Sequence, residues 1–277
     1  MDNLHQLKNF SDLLPYRDYK MPVLFVGHGS PMNAIEDNEF SLEWERLGSR
    51  FPRPSAVLVI SAHWLTRGTK VTAMDSPKTI HDFGGFPQEL FDVQYPAPGM
   101  PELAIETKHL IQSTDVELDH DWGLDHGTWS VVRRIYPEAD IPVLQLSIDY
   151  PQTGEYHYKL GKELAALRNR GVLIIGSGNM IHNLRMLDWR KLNEPDFGFD
   201  WAHELNSTLK SYITRNEHDS LINYEKLGQA GKLAIPTPDH YFPLLYILAL
   251  QEKNDETLFF NDKLVGGSLN MTSVVFS

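Results

Sequence analysis

The chain contains no cysteine. That absence removes disulfides, thiolate-bound zinc, iron–sulfur clusters and cysteine nucleophiles together. Any metal must therefore rest on nitrogen and oxygen donors. Basic residues are few beside acidic ones, 25 Lys and Arg against 37 Asp and Glu in 277 residues, for a net charge of -12. Such a surface repels phosphate backbones and anionic lipid heads, so neither nucleic acid nor a membrane surface is an expected partner. No window reaches the roughly 18–20 apolar residues of a membrane span. The N-terminal stretch MDNLHQLKNFSDLLPYRDYK lacks the apolar centre of a signal peptide. These absences lead to the expectation of a soluble, cytoplasmic protein.

Several catalytic motifs are missing too. There is no G-x-S-x-G and no G-x-x-x-x-G-K-[ST], and GSGNMI at 176–181 lacks the third glycine of a dinucleotide fingerprint. HELNS at 203–207 opens like a zinc-protease helix but has Ser207 where the second histidine belongs.

Four short apolar runs rich in Val, Ile and Leu are present: 22–27, 56–61, 141–148 and 171–176. Runs of this kind suit strands covered on both faces. Between them, Leu160, Leu164 and Leu167 recur at helical spacing in 154–170, and Gly171 ends the pattern. The alternation predicts an α/β single domain: a central, mostly parallel or mixed sheet with helices on both faces and the site at the carboxyl ends of the strands. TLFFNDK and GGSLNMTSVVFS near the C-terminus read as edge or return strands. Residues 76–101, with five prolines and several aromatics, are too apolar for a solvated linker and predict an ordered loop. Residues 186–200 and 228–238 read as further loops, the second leading through IPTPDHYFPLLYILAL into an apolar helix.

The twelve histidines differ in context. His5, His109, His157, His203 and His218 stand in polar or helical-surface settings and read as solvated. His28, His63 and His182 each follow a buried strand, and strand ends border the ligand crevice of an open α/β sheet. Gly27 and Gly29 flank His28 and let backbone come close to a bound ion. His28 thus reads as a metal ligand presented at a strand end. His240, between prolines in TPDHYFP, is placed in the first turn of the following helix, with Asp239 as its cap. His126 in WGLDHGTW starts a helix running to Tyr136 and has Asp125 beside it, which makes it either a proton carrier or a packed core histidine. His81 and Phe83, with Phe86 and Tyr95, belong to the aromatic loop, which either walls a flat substrate or simply packs on itself.

The strings GHGSPMN, SAHW, TIHDFGGFP, YPAPG, WGLDHGTW, SGNMIHN and PTPDHYFPLLY, in this order, closely resemble the class III extradiol ring-cleaving dioxygenases. This is the family of the protocatechuate 4,5-dioxygenase catalytic subunit, and the likeness is to its 4,5-DOPA group. It runs from about residue 20 to the C-terminus, so residues 1–20 are expected to be an N-terminal extension and 21–277 the catalytic domain.

The resemblance implies a non-haem Fe(II) enzyme that opens a catechol with O₂ next to, rather than between, its two hydroxyls, with L-DOPA or another small catechol as substrate. It assigns the metal to His28 and His63, with His240 completing the set and His182 beside it as ligand or acid/base. His126 becomes a second catalytic histidine, and His81 and Phe83 become substrate contacts. Better-known relatives use a glutamate where a histidine stands here, and an all-imidazole set suits Zn(II) as well as Fe(II). Two rival readings keep the pocket: a zinc-dependent hydrolase, and a non-catalytic metal-binding interaction protein.

Overall fold

The computed structural model describes residues 14–277. His5 and the first thirteen residues of the expected extension lie outside the described residues. The remainder of that extension is laid against the body: Leu14 is buried and the Arg17 N–H donates to the Asn169 carbonyl.

The strands are β1 (Val23–Gly27), β2 (Ala56–Thr66), β3 (Thr69–Thr72), β4 (Val116–Asp119), β5 (Val143–Asp149), β6 (Val172–Gly178), β7 (Thr257–Phe260), β8 (Leu264–Val265), β9 (Leu269–Asn270) and β10 (Ser273–Phe276). Eight of them form one mixed sheet in the order β4-β3-β5-β2-β6-β1-β10-β7. The centre, β5-β2-β6-β1, is parallel, and the C-terminal strands β10 and β7 add antiparallel edges. β1, β5 and β6 are buried at every position because helices cover both faces.

The helices of eight residues or more are α1 (Glu39–Arg50), α2 (Pro101–Leu110), α3 (His126–Ile135), α4 (Gly154–Glu163), α5 (Asp200–Thr214) and α6 (Phe242–Ala249). Alternation along each strand divides the core. Val23, Phe25, Leu58, Ile60 and Ile174 pack with α2, α4, α5 and α6 on one face. Leu24, Val26, Val57, Val59 and Ile175 pack with Trp44 of α1 and Trp129 of α3 on the other. Each fully buried side chain of this size stabilises by about 1.5–3 kcal/mol.

Parallel register levels the strand ends. Gly27 of β1 pairs with Gly178 of β6, and Ser61 of β2 pairs with Ser177. Beyond Ile60 the pairing of β2 with β5 shifts and resumes only at Leu65, so the stretch containing His63 bulges out of the ladder. Bulges re-aim side chains in this way near binding sites.

Several sequence expectations need correction. The helix expected over 154–170 ends at Glu163 and continues as a 3-10 helix, Ala165–Arg170, before Gly171 closes it in the left-handed conformation. Residues 228–238 are not all loop, since Gly228–Ala234 is helical. His240 precedes α6 in a turn closed by the Tyr241 and Phe242 N–H groups on the Pro238 carbonyl. Asp239 does not cap that helix, whose N-cap position is Tyr241. His203 and His109 are exposed as expected, but His157 is fully buried, its Nδ1 2.9 Å from the Tyr246 hydroxyl and its ring against Phe242. It lies on the inner face of α4, where the helical pattern of leucines places it.

Burial holds the His157 imidazole neutral by pulling its pKa down to about 3. The unfolded chain therefore takes up a proton near pH 6.5 that the folded chain refuses, so stability is full above that pH and declines as pH falls toward 3. The expected loss from this one group is about 2 kcal/mol at pH 5. His157→Gln should flatten that slope in urea-unfolding midpoints taken between pH 7 and pH 4; a variant with an unchanged slope refutes the assignment.

Candidate metal centre

His28 emerges from the end of β1, His63 from the β2 bulge and His240 from the turn before α6. Two close backbone approaches bring these elements together. A Cβ on Gly178 would lie 2.2 Å from the His240 carbonyl oxygen, and one on Gly27 would lie 2.7 Å from the Met271 backbone. The Asn179 N–H donates to the same His240 carbonyl.

One ring nitrogen from each of His28, His63 and His240 falls within a group whose members all lie within 4.8 Å of one another. The Nε2 atoms of His28 and His63 are 3.2 Å apart. Their proton states follow from what holds the other nitrogen of each ring. Ser177 donates its hydroxyl to the Gly127 carbonyl at 2.5 Å, so its oxygen can only accept from His28 Nδ1 at 2.9 Å. His240 Nδ1 faces Asp239 Oδ2 at 2.5 Å. His63 Nδ1 faces Asp82 Oδ2 at 3.5 Å. Acceptors thus face Nδ1 of all three rings, hydrogen-bonded to His28 and His240 and in looser charge contact with His63, an arrangement that favours a proton on Nδ1 and an Nε2 lone pair turned inward. Two lone pairs at hydrogen-bond distance repel unless a cation lies between them, and acceptors behind the ligand imidazoles are the usual support of a metal site.

The electrostatics agree. Burial pulls the pKa of His28 and of His63 well below the ordinary value, and the neighbouring histidines lower both further. Burial opposes the Asp239 charge, yet the His240 contact outweighs it and brings the carboxyl to about 2. Imidazole nitrogens backed by a hydroxyl at His28 and by carboxylates at His63 and His240 suit a borderline divalent ion such as Fe(II) or Zn(II).

His182 lies beside this group. Its ring stacks flat on His240, with centroids 3.6 Å apart and planes 4° from parallel, and its N–H donates to the Ala234 carbonyl. Burial, then His240, pulls its pKa to about 3. His126 opens α3, with its ring 3.9 Å from that of His63. Asp125 caps the helix at Thr128 and is itself held by Ser61 and Gln145, so it is committed to structure. The carboxylate facing His126 is Asp82, at 3.0 Å from Nδ1.

Sequence reasoning passed over Asp82 in favour of its neighbour His81. His81 Nε2 is 2.9 Å from the Val93 carbonyl oxygen, its ring packs near Trp129, and it does not line the cavity. Tyr95 is likewise buried in the loop, donating to the Tyr136 carbonyl. Phe83 and Phe86 do line the cavity. Ser177 was also missed; its place inside the SGN string next to His182 was the available signal.

The imidazoles form the floor of a cavity of about 810 Å³. Its walls carry Met32, Phe40, Phe83 and Phe86, and, from the loop that follows His182, Leu184, Leu187 and Trp189. Glu36, Glu39, Glu194 and Asp196 also face it, and no Lys or Arg does among the described residues. Among those residues no helix is long and apolar enough to cross a membrane.

An open-sheet α/β protein with an imidazole site fit for one divalent metal, at the floor of a cavity lined by aromatic, aliphatic and acidic side chains, is the class that fold and site define. Residues 22–271 match the family described as the catalytic LigB subunit of aromatic ring-opening dioxygenase. A protein of Escherichia coli (strain K12) named 4,5-DOPA dioxygenase extradiol is 47% identical, covering 92% of this chain and 94% of its own. One of the same name from Beta vulgaris is 38% identical, covering 91% and 95%. A crystal structure of an uncharacterized protein from Escherichia coli K12 superposes with a TM-score of 0.81 at 40% identity, covering 93% of this chain and 100% of that one. The chain belongs to this family of aromatic ring-opening dioxygenases, and it is an extradiol enzyme similar to those relatives.

Ser177→Ala removes the acceptor that fixes the His28 tautomer. Metal affinity, measured by competition with a chelator, is expected to fall ~10–100-fold, while His28→Ala and His63→Ala should not retain metal at all. Unaltered affinity in Ser177→Ala would show that His28 needs no such support.

Proposed function

We propose that this protein cleaves the ring of a DOPA-like catechol with O₂ in the cytoplasm, using one Fe(II) held by His28, His63 and His240, with His182 and His126 handling protons. The observation that carries the reading is the convergence of one ring nitrogen from each of His28, His63 and His240 on the floor of a cavity walled by aromatic and aliphatic side chains. Facial binding by three neutral imidazoles leaves one side free for a chelating diol and for O₂. When bound, the metal supplies a Lewis acid that lowers the pKa of the diol hydroxyls and an electron source for O₂.

The chain's own residues divide the remaining work. Phe83 and Phe86 on one wall and Leu184, Leu187 and Trp189 on the other sandwich the ring and exclude water. His182 enters neutral because burial lowers its pKa to about 3, so it can accept a hydroxyl proton. A pKa that low makes it a weak base at rest, and the negative charge of an ionised diol beside it moves the value back toward the working range. The same imidazolium can later return the proton to an oxygen of the product. His126 Nδ1 is turned to Asp82, which leaves Nε2 to bond a substrate or dioxygen oxygen. The acidic wall favours the ammonium group of an amino-acid side chain. With no Lys or Arg among the described residues lining the cavity, the reading requires the carboxylate of DOPA to point to solvent.

Oxygen consumption by anaerobically Fe(II)-loaded protein with L-DOPA, with appearance of a yellow semialdehyde, is the expected result. Hydrolytic turnover with Zn(II) and no oxygen uptake would favour the hydrolase, and silence across a panel of catechols would overturn the reading. His126→Phe should keep its metal and lose rate by ~10²–10⁴-fold, the range of general acid–base catalysis. A metal-free His126→Phe protein contradicts the division of roles.

A further inference from the structure

Asp82 stands behind two histidines at once. Its Oδ1 accepts the His126 backbone N–H at 2.9 Å. Its Oδ2 lies 3.0 Å from His126 Nδ1, a close charge contact rather than an aligned hydrogen bond, and 3.5 Å from His63 Nδ1. Asp82 as a residue is exposed, through its backbone, while its side chain is only 17% exposed.

The first of these contacts is explained by structure alone, because a carboxylate on the leading amide of α3 pins the aromatic loop to the helix. The other two are not needed for that pin. A loop anchor has no use for an oxygen that reaches the Nδ1 atoms of two imidazoles whose rings are 3.9 Å apart. What a single anionic oxygen does there is to require a proton on both facing nitrogens, since two lone pairs turned toward a carboxylate would repel it. Both Nε2 atoms are then free of hydrogen. On His63 that nitrogen faces His28 and His240; on His126 it is left for a reactant.

We propose that Asp82 is a positioning residue that sets the tautomers of His63 and His126 together, so that one carboxylate serves both metal retention and turnover. The inference rests on the function proposed above for those two histidines. Its consequence is that the metal ligand and the substrate-side histidine are not independently adjustable: altering Asp82 moves both.

Asp82→Asn isolates this role, because the amide can keep an oxygen on the His126 N–H while presenting an NH₂ group to the two rings. That group rewards the opposite tautomer, with Nε2–H pointing inward. Expected are a ~10–100-fold loss of Zn(II) affinity in chelator competition, a lower kcat toward L-DOPA with KM little changed, and a urea midpoint close to that of the parent. A purely structural anchor predicts the reverse: parental metal affinity and kcat in Asp82→Asn, and lost stability in Asp82→Ala. That result would overturn the proposal.

Where the variant does not fold, ¹⁵N chemical shifts of the histidine rings in zinc-loaded parent protein decide instead. Nδ1–H on both His63 and His126 supports the role, and Nε2–H on either removes it. Failure of the parent to bind metal or consume oxygen would count against the proposed function, whereas an indistinguishable Asp82→Asn in an active parent counts against Asp82 alone.

Discussion

Three imidazole lone pairs aimed at one point are the constraint on which the site depends. Nitrogen atoms as close as Nε2 of His28 and His63, 3.2 Å apart, share either a hydrogen or a cation, and they call for a cation when each ring's proton is held at its far side and something positive can be accommodated between them. The first condition is met within the protein. Ser177, with its hydrogen already given to the Gly127 carbonyl, can only accept from His28. Asp239 and Asp82 place anions behind His240 and His63. The second condition makes the cluster selective for a cation, because every buried group around it is either neutral and donor-facing or anionic and set back.

The sheet exists in a form that makes this convergence cheap. Parallel register sets Ser61 beside Ser177 and Gly27 beside Gly178, so the ends of three strands finish in one layer. Glycine is required where backbone meets backbone: at Gly178 a methyl group would lie inside the His240 carbonyl, and the turn carrying that histidine could not dock. The β2 bulge then lifts His63 out of the ladder toward His28. The apolar α6, buried over most of its length, anchors the turn from behind.

Charge separates recognition from catalysis. The cavity floor is neutral imidazole, whereas its rim carries Glu36, Glu39, Glu194 and Asp196. Glu39 and Glu194 pair with Lys263 and Lys191, which tempers the rim without placing a cation on the cavity wall. The same cavity thus combines carboxylates, apolar side chains and a cluster of imidazoles.

Elements and strand-end histidines were legible in the sequence because they obey local rules. A Val/Ile/Leu run means a doubly covered strand wherever it stands, and the residue after such a strand in an open sheet borders the crevice, so His28, His63 and His182 could be singled out, and the motif strings added His126 and His240 and the family. Partners that are neither adjacent in sequence nor periodic could not be read this way. Asp82, Ser177 and the Gly127 carbonyl act across long stretches of chain, and local reading saw neither Asp82 beside His81 nor that it, as well as the adjacent Asp125, stands near His126. It also left His157 on the surface, weighing its polarity above its spacing of three from Leu160, which puts it on the face that the rest of the molecule covers. Composition and pattern determined that this chain folds as an α/β sheet with nitrogen donors at its strand ends. Which nitrogen of each ring carries the proton was decided only by tertiary structure, because a tautomer is set by whatever atom lies opposite, and that atom arrives through packing.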